Sequence, residues 1–281
     1  MLVIGFAAII LVGAFLLMLP IATPDGRGLS FVNALFTATS ATCVTGLVVA
    51  DTGTAFTMFG QLTILTLIQV GGLGFMTMAT LFALVIGRKI SLRQRLLIQE
   101  SLNQLTLEGI VKLVQRVLLF TIIFEGVGAL ILALRWIPDM GVSRGIYFGI
   151  FHSVSNFNNA GFDLVGGFRS LTPYVSDPIV NIVIMILIIA GGIGFIVIAE
   201  LTDFHNRHKL SMHTKVVLTS TAFLVFFGAL LIFAMEYTNP KTLASLDWAG
   251  KILGSFFQSV CTRTDGANTL RLVICTRPLC F

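Results

Sequence analysis

Val70-Gly71-Gly72-Leu73-Gly74-Phe75 lies inside the apolar run Phe56–Gly87, and its last five residues recur as Gly191-Gly192-Ile193-Gly194-Phe195. The offset is 120, and Lys89-Ile90-Ser91-Leu92 recurs as Lys209-Leu210-Ser211-Met212 at the same offset. Such self-similarity marks a chain built from copies of one unit. Each glycine copy sits in an apolar run. A membrane-spanning helix takes about 20 mostly apolar residues, and Met1–Pro20, Phe56–Gly87, Leu113–Leu134, Asp177–Leu201 and Val216–Met235 all qualify. Of the 281 residues, 56% are hydrophobic and 11% charged, against about 25% charged in soluble domains. Too few polar side chains exist to cover a water-facing surface, which excludes a soluble globular protein. The first run has neither a basic leader nor a small-residue cleavage site and is followed by further spans, so it does not read as a signal peptide. Its start at Met1 leads to the expectation that a short cytoplasmic tail precedes it in the natural protein.

Three shorter amphiphilic segments follow spans: Leu29–Thr42, Arg144–Asn158 and Leu246–Val260. Each leads into a polar, glycine-containing stretch. They read as re-entrant pore helices, the alternative for any one being an interfacial helix or external loop. The glycine stretches align as Val44-Thr45-Gly46-Leu47, Asn159-Ala160-Gly161-Phe162 and Thr264-Asp265-Gly266-Ala267, and Phe-His-Ser-Val-Ser at 151–155 parallels Phe-Gln-Ser-Val at 257–260. The expected fold is therefore an all-α membrane protein of repeated helix–pore loop–helix units around a central pore. The first unit covers 1–87, a cytoplasmic link 88–111, the second unit 112–201, a second link 202–213, a partial third unit 214–270, and an atypical tail 271–281.

Charge placement orients the chain. The two links and their flanks hold Arg88, Lys89, Arg93, Arg95, Lys112 and Arg116, then Arg207, Lys209 and Lys215; the many opposite-side segments up to Lys251 share Arg27, Arg135, Arg144, Arg169, Lys241 and Lys251. The excess of basic residues in the links places them in the cytoplasm and the pore loops outside. The net charge of +5 belongs to those links rather than to a nucleic-acid surface. Cys43, Cys261, Cys275 and Cys280 show neither a disulfide framework nor a zinc spacing.

A cation entering hydrocarbon needs a substitute for its water, and rings of backbone carbonyls supply one. Irregular backbone survives at that depth only where it lines a cavity or is buried in protein, and glycine permits the required conformation. The candidate filter is Val44, Thr45, Gly46 and Leu47, then Asn159, Ala160, Gly161 and Phe162, then Thr264, Asp265 and Gly266. Pore helices aim the negative ends of their dipoles at it, and Thr42, Thr45, Asn158, Asn159 and Thr264 are placed to brace its backbone. The bland reading of each glycine is a simple turn.

Thr39–Leu47, Ser155–Asp163, Arg263-Thr264 with Gly266 and Asn268, and Val70–Phe75 together resemble the Trk/Ktr/HKT superfamily of potassium transporters, and most closely the membrane subunit of Ktr systems. The resemblance covers residues 1 to about 270. It implies four helix–pore–helix repeats around one pore, a homodimer, and docking on a cytosolic nucleotide-binding (KtrA-like) regulatory ring. The expected function is potassium uptake across the bacterial plasma membrane, with or without sodium dependence. The competing readings are a sodium-coupled secondary transporter and a truncated, non-conducting fragment. The third filter departs from the family's Thr-Pro-Arg-Thr-Ala-Gly-Phe-Asn, because Cys261, Thr262, Asp265 and Ala267 replace its first threonine, proline, alanine and phenylalanine. Asp265 would put a carboxylate beside the carbonyl ring, and the tail resembles nothing in the family, which points to a truncated or frameshifted product.

Within the second unit, Glu125 is an acid inside a span, either a functional group or one paired with a neighbouring dipole or polar group. Gly71-Gly72 reads as close helix packing. His205, His208 and His213 read as a solvated or partner-facing surface rather than a metal site, and Ser91–Gln104 as an amphipathic surface stretch. Neither a nucleophile–base pair nor a phosphate-binding loop appears, so no enzyme, no cofactor and no metal beyond the transported K+ or Na+ is expected.

Overall fold

The computed structural model describes residues 2–74, 110–207 and 210–270, and among them every regular element is helical. The helices are α1 (Leu2–Met18), α2 (Phe31–Thr42), α3 (Met58–Leu73), α4 (Ile110–Met140), α5 (Val142–Phe157), α6 (Pro178–Gly192), α7 (Phe195–Arg207), α8 (Met212–Glu236) and α9 (Trp248–Thr264). Residues 88–109, the cysteines of the tail, and the side chains of His205 and His208 lie outside the described residues, as does the amphipathic stretch Ser91–Gln104.

The helices begin where their caps dictate. Asp177 accepts from the backbone N–H groups of Ile179 and Val180 at 3.0 and 3.2 Å, with Pro178 at the first position of α6. Ser211 caps α8 through Thr214 N at 3.2 Å, and Asp247 caps α9 through Gly250 N at 3.0 Å. A short polar side chain here satisfies N–H groups that have no partner within the helix. α4 ends at Gly141, whose φ of +84° turns the chain directly into α5.

Among the described residues, two helices are long and apolar enough to cross a bilayer unaided: Val114–Met140, 27 residues, and Met212–Glu236, 25 residues. Val3–Met18 and Met58–Leu73 are shorter apolar helices. The run Asp177–Leu201, expected as one continuous span, is broken: Pro178–Gly192 and Phe195–Thr202 meet at 101°. The cause is Gly194, whose φ of +89° is foreign to a right-handed helix. Gly74, the same position in the earlier copy of the motif, closes α3 with φ +80°. The glycine motif therefore stops a helix as well as packing one.

Exposure is inverted relative to a soluble protein. Large apolar side chains such as Phe15, Phe223, Phe226 and Leu230 face outward, while His152, Ser153, Ser155 and Asn156 are buried. The core centres on α5, with Trp136, Phe151, Phe157, Phe162 and Phe257 fully enclosed. His152 lies 5.0 Å from the Trp136 ring, Nδ1 2.9 Å from Phe148 O and Nε2 3.4 Å from Leu164 N. A nitrogen facing a carbonyl must donate and one facing an N–H must accept, so His152 is neutral with its proton on Nδ1. It ties the pore helix to the loop after the glycine segment. His152→Ala is expected to lower stability by about 3 kcal/mol, from lost packing and an orphaned Leu164 N–H, read as an earlier melting transition in detergent; an unchanged midpoint would refute the tie.

Candidate ion pathway

Three helices, α2, α5 and α9, end on the three glycine segments. The first two are built alike. Thr45 N donates to Ser40 O at 2.9 Å and Val44 N to Ala41 O at 3.3 Å; Ala160 N donates to Ser155 O at 2.8 Å and Asn159 N to Asn156 O at 3.1 Å. Val44 and Asn159 sit at φ +56° and +59°, Gly46 and Gly161 at +76° and +67°. Positive φ is rare in a β-branched residue, and Val44 persists in it because its neighbours fix the turn. Ser155 Oγ holds Phe162 O at 2.8 Å, and Thr45 Oγ1 turns back to Ser40 O at 3.1 Å.

The third segment has a different backbone. α9 stays helical through Thr264, and Asp265 N bonds back to Cys261 O at 2.8 Å. Neither Thr264 nor Gly266 has positive φ. The sequence contains the reason. Ten positions separate the aligned phenylalanine from the glycine in Phe36–Gly46 and Phe151–Gly161, but nine in Phe257–Gly266. With one residue fewer, the extra helical residues and the double left-handed turn cannot both be accommodated. Asp265 Oδ1 accepts from Ala267 N at 2.8 Å, while its Oδ2 is buried with no hydrogen-bond partner.

The three glycines meet. A Cβ added to Gly46 would lie 2.6 Å from Ala160 O and 2.9 Å from Gly266 Cα; one on Gly266 would lie 3.0 Å from Gly46 Cα. On Gly161 it would overlap Ala267 N and the Asp265 carboxylate and lie 2.5 Å from Gly266 C. A cavity of about 90 Å³, bordered by Asp51, Asp163, Ser170 and Asn268, lies on one side of this contact. A second of about 270 Å³, bordered by Val44, Asn158, Asn159, Phe195 and Thr264, lies on the other. Ala160 and Phe162 are buried beside the glycines, whereas Leu47 is 62% exposed.

Gly71 and Gly72 explain how the second helix of each group approaches. A Cβ on Gly71 would overlap Thr42 O, and one on Gly191 would overlap Phe157 O, the carbonyls that end α2 and α5. One on Gly72 would overlap Asn158, and Gly192 faces Asn159 and Thr264. The first glycine of each pair thus abuts the pore helix preceding it, and the second abuts the base of a glycine segment. Ser40 and Ser155 went unassigned in the sequence; their shared place six residues before a glycine was the available signal. Asp51 was also missed, and it accepts from Gly167 N and, at 3.2 Å, from Phe168 N, joining two loops. Among the described residues no group of His, Cys, Asp or Glu is arranged to hold a metal ion.

The sequence matches the family described as TrkH, cation transport protein, over residues 5–272. It is 49% identical to the Ktr system potassium uptake protein B of Bacillus subtilis (strain 168), over 96% of this chain and 60% of that protein. The Ktr system potassium uptake protein B of Vibrio alginolyticus is 40% identical over 98% of this chain and 60% of its own length. The potassium/sodium uptake protein NtpJ of Enterococcus hirae is 41% identical over 93% of this chain and 57% of its own length. The chain thus spans about 60% of the length of the curated relatives it matches.

Proposed function

The chain belongs to the TrkH cation transport family, a family of transporters rather than enzymes, and from that premise we propose that it forms part of the wall of a potassium-conducting pore in a bacterial plasma membrane. The carrying observation is that Gly46, Gly161 and Gly266, distant in sequence, come together between two polar-bordered cavities. Their carbonyls replace a cation's water, the C-terminal ends of α2, α5 and α9 bias the site toward positive charge, and Ser40, Thr45 and Ser155 hold the filter backbone from behind. In this reading residues 1–87 and 112–201 are two helix–pore–helix units joined by cytoplasmic links, residues 214–270 begin a third, and the pore loops face outward. A homodimer on a nucleotide-binding cytosolic ring completes the proposal; the names of the two relatives speak of a Ktr system, which supports further components and nothing finer.

Sodium is the second reading for the transported ion, favoured by the potassium/sodium name of the Enterococcus relative. The test is ⁸⁶Rb+ flux into liposomes with competing K+ and Na+. Flux blocked by K+ at concentrations about tenfold below Na+ is the expected result; equal block by both assigns a non-selective cation pathway, and absence of flux assigns a non-conducting fragment.

A further inference from the structure

Glu125 lies in the middle of α4 and is half-buried. Its carboxylate is held by two neutral amides: Gln69 Nε2 on α3 at 3.2 Å and Asn158 Nδ2 at the end of α5 at 3.1 Å. The same Asn158 nitrogen shares its two hydrogens with Gln69 Oε1 at 3.0 Å and Val154 O at 2.8 Å, while a Cβ added to Gly72 would overlap its amide oxygen. Asn158 is the cap of the pore helix and immediately precedes Asn159, the left-handed residue that opens the second glycine segment. It also borders the larger cavity. A carboxylate within a span is expensive, and this one serves no step of the proposed conduction.

The next boundary shows what is special here. Ser153 Oγ donates to Glu125 O at 2.7 Å, and Ser259 Oγ donates to Val225 O at 2.8 Å. That matched pair aligns Glu125 with Val225. The 120 offset aligns Gln69 with Ile189, and the helix register Phe151/Phe257 aligns Asn158 with Thr264. The corresponding place therefore holds Ile189, Val225 and, by helix register or by glycine alignment, Thr264 or Arg263, with no carboxylate among them. The polar clasp exists at one of these two boundaries, so the general architecture does not require it.

We propose that Glu125 is a positioning residue of the ion pathway, holding the Asn158 amide at the base of the second glycine segment and thereby setting which alkali cation that segment accepts. The proposal rests on the conduction reading above. A hydrogen bond holds an amide only while its acceptor reaches it, and a displaced amide at the base of the segment changes how the filter carbonyls coordinate a cation.

Two substitutions separate position from charge. Glu125→Asp keeps the charge but withdraws it from Asn158; Glu125→Gln keeps the reach and an acceptor oxygen. The readouts are the ratio of Rb+ to Na+ flux in liposomes and the rise in melting temperature with KCl against NaCl in detergent. E125D is expected to lose about tenfold in K+ preference, the scale of one net hydrogen bond, and E125Q, whose oxygen still reaches Asn158, to stay within about threefold of wild type. Asn158→Ala is expected to match E125D, and the double variant to lose no more than either alone, because both act through one contact. An E125D with wild-type preference, or losses that add, overturns the inference alone. An E125Q as impaired as E125D would show the charge acting directly on the cation and overturn the positioning role. A wild-type protein with no cation preference in either readout would overturn the conduction reading and this inference with it.

Discussion

Gly161→Ala is expected to lower Rb+ flux at least about 100-fold and to lower the melting temperature by several degrees. The left-handed φ of +67° alone costs an alanine about 1 kcal/mol. The added methyl would also overlap Ala267 N and the Asp265 carboxylate and lie 2.5 Å from Gly266 C. Backbone atoms cannot swing aside as a long side chain does, so the segment itself must move. Roughly 3 kcal/mol of strain on that segment corresponds to about two decades in rate at 1.36 kcal/mol per decade. The same strain lowers stability, and a filter tolerates little displacement. Conduction by G161A within threefold of wild type would show that these glycines are turns and nothing more.

The second large effect is expected in the opposite direction. Asp265→Ala should raise maximal Rb+ flux about tenfold and raise the half-saturating concentration by a similar factor. The buried carboxylate has one oxygen on Ala267 N and the other without a hydrogen-bond partner, which leaves that oxygen available to a cation. A unit charge about 4 Å from a cation contributes roughly 4 kcal/mol at an effective dielectric of 20, enough to hold the ion longer than a conducting site should. Alanine is also the residue that the family pattern has there. Flux measured over a range of Rb+ concentrations decides it: an unchanged half-saturating concentration would mean that Asp265 does not see the ion.

The apolar helices and the three helices that lead into the glycine segments were legible because an apolar environment imposes a composition and a length that hydropathy reads directly. The meeting of Gly46, Gly161 and Gly266 was legible as an alignment. The break in Asp177–Leu201 was not, because hydropathy is blind to φ, and Ile193-Gly194-Phe195 is as apolar as any helix interior. The odd backbone of the third segment was encoded in its nine-residue spacing, a signal that matching glycine to glycine conceals. Leu47 shared its alignment column with Phe162, but burial depends on what lies opposite, and no periodicity carries that. Glu125 could be singled out as an acid in a span, yet its partners lie 56 and 33 residues away, and only the packed structure brings them together.

The paired glycines also bear on how the chain assembles. Because a Cβ on Gly72 would overlap Asn158 and Gly192 lies in contact with Thr264, the stretches synthesised early present small-residue surfaces against which later stretches pack. Insertion into the bilayer therefore leaves the protein unfinished, like a keystone arch under scaffolding, until later segments arrive to seat against those surfaces. Excising any one segment would strip its predecessor of its fit, so these pieces are not interchangeable modules that survive being shuffled.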